Sequence, residues 1–363
     1  MKNCFLIACL LFYTNMFAQN AEPLILSGHT NDVEAVAVNP ITGIIASGST
    51  DQKVNIYQID SPYKLIKTLA GHMGPINVLA FNKTGKWLAS SGEEHVVFVW
   101  DSLYRNYRKL DVHTDKVNCL QFEKTGRYLY SGSDDKQFII WDLNTGKEVK
   151  KVAFAQAVTS IAPTTDLKYI YIAAAEPKIK LLDAITGKII KTLDGHTDAV
   201  NDIKISPNGK LLLSGSNDKT ARIWDLTTGK QVRILPVDCW KVTAVNFSSD
   251  GYYAITGCND GSIKIWETTS GKLVKQFNLQ ASIVKSISFG KDVSTILVGI
   301  MLRNSDAYGL RAIATGIYPA QIAAVKQIEP MADSTSSKPN LNNEPKNQIV
   351  IPKKGTTQIK PKP

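Results

Sequence analysis

The sequence is poor in the residues that announce catalytic or metal chemistry. Among 363 residues there are five histidines and five cysteines, and they never cluster at the spacings that hold a metal ion. Cys4 and Cys9 fall in an apolar N-terminal stretch, leaving only Cys119, Cys239 and Cys258 further along. Three cysteines allow at most one internal bridge, which excludes a disulfide scaffold. No later apolar run is long enough to cross a bilayer, so no integral membrane span is expected. Aromatic residues make up 8% of the chain, and no basic stretch is interleaved with them. The formal charge of +10 therefore does not build the stacking platform of a nucleic-acid surface. No unpaired acid–base constellation stands out, so neither an enzyme nor a cofactor is indicated.

The two ends of the chain differ from its middle. "MKNCFLIACLLFYTNMFAQNAEP" places Lys2 before an apolar stretch from Cys4 to Tyr13 and a small Ala18 before Gln19. That order is expected of a secretory signal peptide over residues 1–18, and the stretch is too short for a span. Leu6-Ile7-Ala8-Cys9 fits a lipobox in letters but leaves almost no apolar region ahead of the cysteine. Export would put the protein in the periplasm, on the cell surface or in the medium, away from nucleic acid. Residues 329–363 are rich in Pro, Lys and Asn, the composition of a disordered tail. From Asp333 onward six lysines face two acids; setting those and Lys2 aside reduces +10 to +5 for residues between, an ordinary surface charge.

Between these ends, residues 19–328, the chain repeats itself. Tyr57, Trp100, Trp141, Leu182, Trp224 and Trp266 lie 43, 41, 41, 42 and 42 residues apart. His29, His72, His113 and His196 each precede one of these positions by 28 residues, and the same step joins Phe154 to Leu182 and Asp238 to Trp266. Inside a unit, "AVNDIKI", "KLLLSGS", "TARIWDL" and "QVRILPV" read as four strands separated by "SPNG", "NDK" and "TTGK" turns. Four short antiparallel strands at a period near forty residues describe a propeller blade. "SIVKSISF" and "STILVGI" extend the pattern to a seventh unit, with "MLRNSDAYG" as an enlarged connection before "LRAIATG". "PLIL", Pro23 to Leu26, has no earlier blade and is expected to supply that unit's outer strand. The expected fold is an all-β, seven-bladed β-propeller of four-stranded antiparallel blades, its ring closed by the N-terminal strand and followed by the disordered tail. Closure of that kind removes the exposed edge.

Gly28-His29, Gly71-His72 and Gly195-His196, with Trp100-Asp101, Trp141-Asp142 and Trp224-Asp225, make residues 24 to 317 resemble the WD-repeat β-propellers. The resemblance implies a buried hydrogen-bonded set in each blade. The matching positions are His29, Ser47, Asp51 and Tyr57; His72, Ser90, Glu94 and Trp100; His113, Ser131, Asp135 and Trp141; and His196, Ser214, Asp218 and Trp224. Four copies of a histidine–serine–aspartate set are architecture, since a hydrolase needs one activated nucleophile beside an oxyanion hole. The fourth repeat has Phe154, Ile172, Glu176 and Leu182 instead and must rely on apolar packing. The sixth has Asp238 opposite Asp260, two carboxylates that repel, so Asp238 is expected to turn toward solvent.

The resemblance also implies that one rim of the disk binds another protein or a peptide. Its rim positions here are Asp32, Glu34, Asn77, Lys116, Asn118, Asp134, Asn201, Asn217, Lys241, Thr243 and Asn259. Trp240 occupies a loop position held by Asp198 in the fifth repeat, either as a partner anchor or as a locally packed indole. Cys239 and Cys258 flank positions that should be adjacent, so a bridge between their turns is one reading and two free thiols the other. The leading expectation is a non-enzymatic exported scaffold; an extracellular glycan or small-ligand module using the rim or central channel is the alternative.

Overall fold

Alternating apolar residues bounded by turn residues close on themselves seven times. In the computed structural model, residues 23–58, 63–111, 113–280, 282–302 and 309–317 are described. The first blade pairs Val33–Val38, Ile45–Ser49, Val54–Gln58 and Lys64–Leu69 in that order. The next five repeat the antiparallel order from Ile76–Phe81 to Tyr107–Leu110, Val117–Phe122 to Lys147–Ala153, Val158–Pro163 to Ile189–Leu193, Val200–Ile205 to Lys230–Pro236, and Val242–Phe247 to Leu273–Asn278. The seventh takes Ser282–Phe289, Thr295–Leu302 and Leu310–Ala314 from the end of the ring and Leu24–Leu26 from its start. Leu24 faces Ala312 and Leu26 faces Leu310 across that closing ladder. Met301 and Leu302, expected in the connection, instead lengthen the second strand of this blade. Residues 1–18, expected to be a signal peptide, residues 318–328, and residues 329–363, expected to be a tail, lie outside the described residues.

Blade faces pack on one another through the apolar halves of their strands. Leu213, Ile223 and Leu235 of the fifth blade, for example, meet Val242, Val245 and Trp266 of the sixth. The glycines near the ends of the second strands make this approach close. A Cβ on Gly132 would sit 2.3 Å from Cγ1 of Val158, and one on Gly257 would sit 2.4 Å from Cγ1 of Val284. Any side chain there would push the next blade away.

Strand direction divides the disk into two ends. The histidine-bearing loops and the second-to-third-strand turns form the upper end. The first-to-second and third-to-fourth turns form the lower end, where neighbouring turns touch: the Asn39 side chain donates to the Gly85 carbonyl at 2.9 Å. Outer-strand cations add a second tie at this level. Lys67 reaches the Tyr104 carbonyl at 2.7 Å and Lys191 the Thr228 carbonyl at 3.2 Å. Arg108 and Lys150 make the equivalent bonds to Leu143 and Thr186. Each crosses to the following blade.

Candidate functional site: the upper mouth of the channel

Each upper loop is first held from beneath. In the fifth blade, Nδ1 of His196 meets Asp218 at 2.7 Å, Nε2 meets the Ser214 hydroxyl at 2.7 Å, and the Trp224 indole donates to that hydroxyl at 2.9 Å. The third blade repeats this with His113, Asp135, Ser131 and Trp141 at 2.8, 2.7 and 2.8 Å. In the second, His72 bonds Glu94 and Ser90, and Trp100 donates to Ser90. In the first, His29 bonds Asp51 at 2.9 Å and Ser47 at 2.7 Å, while Tyr57 takes the indole's place and accepts from Asn55. One direction of donation satisfies the whole set: indole to serine, serine to imidazole, imidazole to carboxylate.

Titration follows from this geometry. Burial pushes the Asp218 carboxyl up, but hydrogen bonds from Thr220, His196 and the Thr197 amide outweigh it and hold the group below its usual value. Burial likewise raises Asp135, and His113 with two backbone amides brings it below normal. Burial lowers His113 and His196 despite their carboxylate partners, so both imidazoles are held neutral near pH 7. The serine Oγ atoms are fully buried and saturated by these partners.

The departures from the pattern share one device. In the fourth blade Phe154, Ile172 and Leu182 join an apolar cluster, and Lys180 lies 5.1 Å above the Phe154 ring while pairing with Glu176. In the sixth blade Lys264, at the equivalent position, bonds Asp238 at 3.0 Å and lies 5.7 Å from the Trp266 ring. The Asp238 side chain is 77% exposed, and Asp260 caps its own turn at Ser262. In both of these blades a lysine four residues after the turn acid pairs with a nearby carboxylate.

The mouth itself is built by bulges. Every first strand shifts register at one residue, between Val33 and Ala35, Ile76 and Val78, Val117 and Cys119, and so on round the ring. The skipped residues are Glu34, Asn77, Asn118, Thr159, Asn201, Thr243 and Lys285. A bulged residue leaves the ladder and its side chain is re-aimed. Four of these side chains reach the first-strand carbonyl of the next blade: Asn118 to Val158 at 3.1 Å, Thr159 to Val200 at 2.7 Å, Asn201 to Val242 at 2.7 Å, and Thr243 to Val284. Lys285 continues the ring by pairing with Glu34 at 2.9 Å. Asn77 interrupts it: its Nδ2 is buried and has no hydrogen-bond partner.

These bonds sort the rim residues. Glu34, Asn77, Lys116, Asn118, Asp134, Asn201, Lys241, Thr243 and Asn259 all line one cavity of about 480 Å³ at the upper mouth. Asp32 lies to one side and accepts from the Leu302 amide at 3.0 Å. Asn217 is occupied by Asn201, and Asp134 by Asn118. Glu34 is buried and paired with the half-buried Lys285. Lys116 approaches Glu93 only to 4.0 Å, leaving its ammonium partly free at the mouth that Asn77 also lines. Trp240 is 79% exposed and stands outside the mouth, near Lys219, Pro236 and Asp238. The packed-indole reading does not hold. A disulfide joins Cys239 to Cys258 with a Cα–Cα distance of 6.3 Å, tying the Trp240 loop to the second strand of its blade. Cys119 stays a buried free thiol, its ionisation pushed up by burial. Among the described residues no group of three or more His, Cys, Asp or Glu could hold a metal ion, and no helix is long and apolar enough to cross a membrane.

Seven four-stranded blades, three of them braced by histidine, serine and tryptophan, define a repeat propeller, and comparison with known families agrees. The family model described as "WD domain, G-beta repeat" matches residues 22–58, 63–101, 105–142, 187–225 and 229–267, and the chain belongs to that family. The first three strands of blade four, which lacks histidine and tryptophan, and the three strands of blade seven from the end of the ring fall outside the matched segments. The chain is 36% identical over 66 residues to "Periodic tryptophan protein 2 homolog" of Schizosaccharomyces pombe, covering 18% of this chain and 8% of that protein. It is 35% identical over 75 residues to "Small ribosomal subunit protein RACK1y" of Oryza sativa subsp. japonica, covering 20% of this chain and 22% of that one. The matched stretches thus span under a quarter of either relative.

Proposed function

We propose that the protein is an exported, non-catalytic scaffold that holds a protein or peptide over the upper mouth of its channel. The observation that carries this reading is the break in the inter-blade ring. Asn77 leaves a desolvated donor without an acceptor, a costly arrangement unless something supplies one. A backbone carbonyl of an extended peptide is such an acceptor, and Lys116 at the same mouth suits a neighbouring carboxylate. Trp240, exposed and tied down by the disulfide, offers a rigid aromatic anchor on the same end. The disulfide also accords with an oxidising compartment, as the apolar leader does with export.

Site-specific photocrosslinking tests this reading. A photoreactive residue at position 240 should capture one protein from the native envelope or medium, and the capture should disappear in Asn77→Ala/Lys116→Ala. Equal capture from the outer strand at position 190, or capture indifferent to the double substitution, would remove the upper mouth from consideration. Glycan capture without any protein would favour the ligand-module alternative.

A further inference from the structure

The lower end of the propeller brings exposed lysines and exposed aliphatic side chains together. At the lower end, the first-to-second-strand turns carry Lys83, Lys124, Lys168 and Lys210, all exposed. Among the described residues none of the four makes an ion pair. Carboxylates are present there, but they are turned onto backbone amides. Glu123 accepts from Thr125 and Arg127, Asp166 from Lys168, and Asp183 from Ile185 and Thr186. These bonds hold the carboxylates ionised but turned back onto their own turns, whereas the four lysines make no such return contact and are exposed.

Large aliphatic side chains project from other turns of the same end, the first-to-second-strand turn of blade one and the third-to-fourth-strand turns of blades two and four. Ile41 is 66% exposed, Leu103 61% and Ile185 82%. These three come from blades one, two and four, at turn tips where no packing role holds them. Among the described residues, the loops and turns of the upper end expose Met73 and Trp240 to a comparable degree. Isolated exposed aliphatics are common on any protein. Here they share one end of a disk with unpaired lysines, and the chain leaves the described propeller at this end as well, since Thr315 bonds Val293 and Ser294 of a lower turn.

We infer that the lower end is a docking surface for an anionic lipid bilayer. The chemistry fits on both counts. Lysines attract an anionic headgroup layer with about 1 kcal/mol each near the surface, and turn-tip aliphatics bury their apolar area at the headgroup–acyl boundary. Turns from successive blades lie at one level, so several engage a flat surface together. A folded acidic protein would satisfy the lysines but would have to offer shaped pockets for three separated aliphatics. Fluid lipid needs none. With the lower end on a membrane, the upper mouth faces away from it and stays open to a partner.

Vesicle flotation of the full chain tests this directly. Binding is expected to vesicles of pure phosphatidylglycerol, to weaken with added salt, and to be absent from pure phosphatidylcholine. Each lysine removed should weaken binding about fivefold, so Lys83→Gln/Lys124→Gln/Lys168→Gln/Lys210→Gln should lower it by about two to three orders of magnitude. Ile41→Ser/Leu103→Ser/Ile185→Ser should leave the salt dependence and reduce the affinity. All seven sites are exposed, and an unchanged melting temperature confirms that each variant is folded. Three results would overturn the inference. One is equal binding to both lipids; another is no binding to phosphatidylglycerol. The third is binding indifferent to both variants but lost when Lys353, Lys354, Lys360 and Lys362 become Gln, which would assign the attraction to the C-terminal lysines alone. The readout is independent of the upper-mouth variants, so failure here leaves the scaffold reading standing.

Discussion

Blades four and five sit side by side, share one strand order and one bulge position, and solve their interiors in opposite ways. Blade five runs a chain of donors from Trp224 through Ser214 and His196 to Asp218. Blade four fills the same positions with Leu182, Ile172 and Phe154 and keeps one ion pair, Lys180 with Glu176, at the surface edge of that core. The backbone is nearly indifferent to the choice. What both require are the features outside the polar set: the bulge at Thr159 or Asn201, side-chain bonds from those residues to the next blade, and a small residue where the second strand meets its neighbour. The histidine sets are thus one of several ways of filling a blade, since blade six uses Lys264 with Asp238 and an indole bond to Thr256. This is the strongest ground for reading them as bracing instead of chemistry.

The comparison breaks most readily through blade four. Leu182→Ala should cost about 2–5 kcal/mol, because a fully enclosed apolar site cannot collapse around the missing atoms; the denaturation midpoint in urea measures it. In blade five, Ser214→Ala should cost about 1–3 kcal/mol, since it strands both the Trp224 donor and the His196 acceptor in a dry interior. Its cost should fall markedly when Trp224→Leu and His196→Phe are already present, because nothing is then left unpaired. A fixed cost in both backgrounds would mean that the serine packs and does not bridge.

Acid should separate the two blades next. Asp218 and Asp135 are held below their usual values, so the stability they contribute is complete above about pH 4 and is lost as pH falls through their folded values. His113 and His196 are also lowered, so they too favour the fold while neutral and contribute a loss as pH falls below about 6.5. Both directions agree: stability declines on acidification. Grafting blade four's residues onto blade five, as His196→Phe/Ser214→Ile/Asp218→Glu/Trp224→Leu, should flatten that decline; a pH series of melting temperatures shows whether it does. The smallest effect is expected for Lys180→Met, under about 1 kcal/mol, the scale of a partly exposed cation over an aromatic ring. Thermal melting at low and high salt would detect it.

Much of the architecture was legible in the sequence because it depends on residues within one repeat. The 28-residue step from histidine to aromatic, the Ser-Gly-Ser strands and the Thr-Gly-Lys turns each describe a single blade. The strand around Leu24–Leu26, left without a blade of its own, pointed to the closure. What stayed hidden depends on contacts between repeats. Asn118 and Asn201 read as free rim amides until the next blade's carbonyl is seen beside them, and Asp32 reads as a rim acid until Leu302 of the last blade arrives. Lys180 and Lys264 had a signal, the same offset from Phe154 and Asp238, which only gained meaning once those positions were known to lack histidine. The lower-end lysines were visible singly, but their convergence needed the turns in space.

The central claim is that bracing and binding are carried by different residues. The most direct test is partner retention by Lys116→Ala/Trp240→Ala, read together with its melting temperature. The account predicts a wild-type melting temperature and loss of the partner that wild type retains. Full retention of that partner by a folded variant would contradict it.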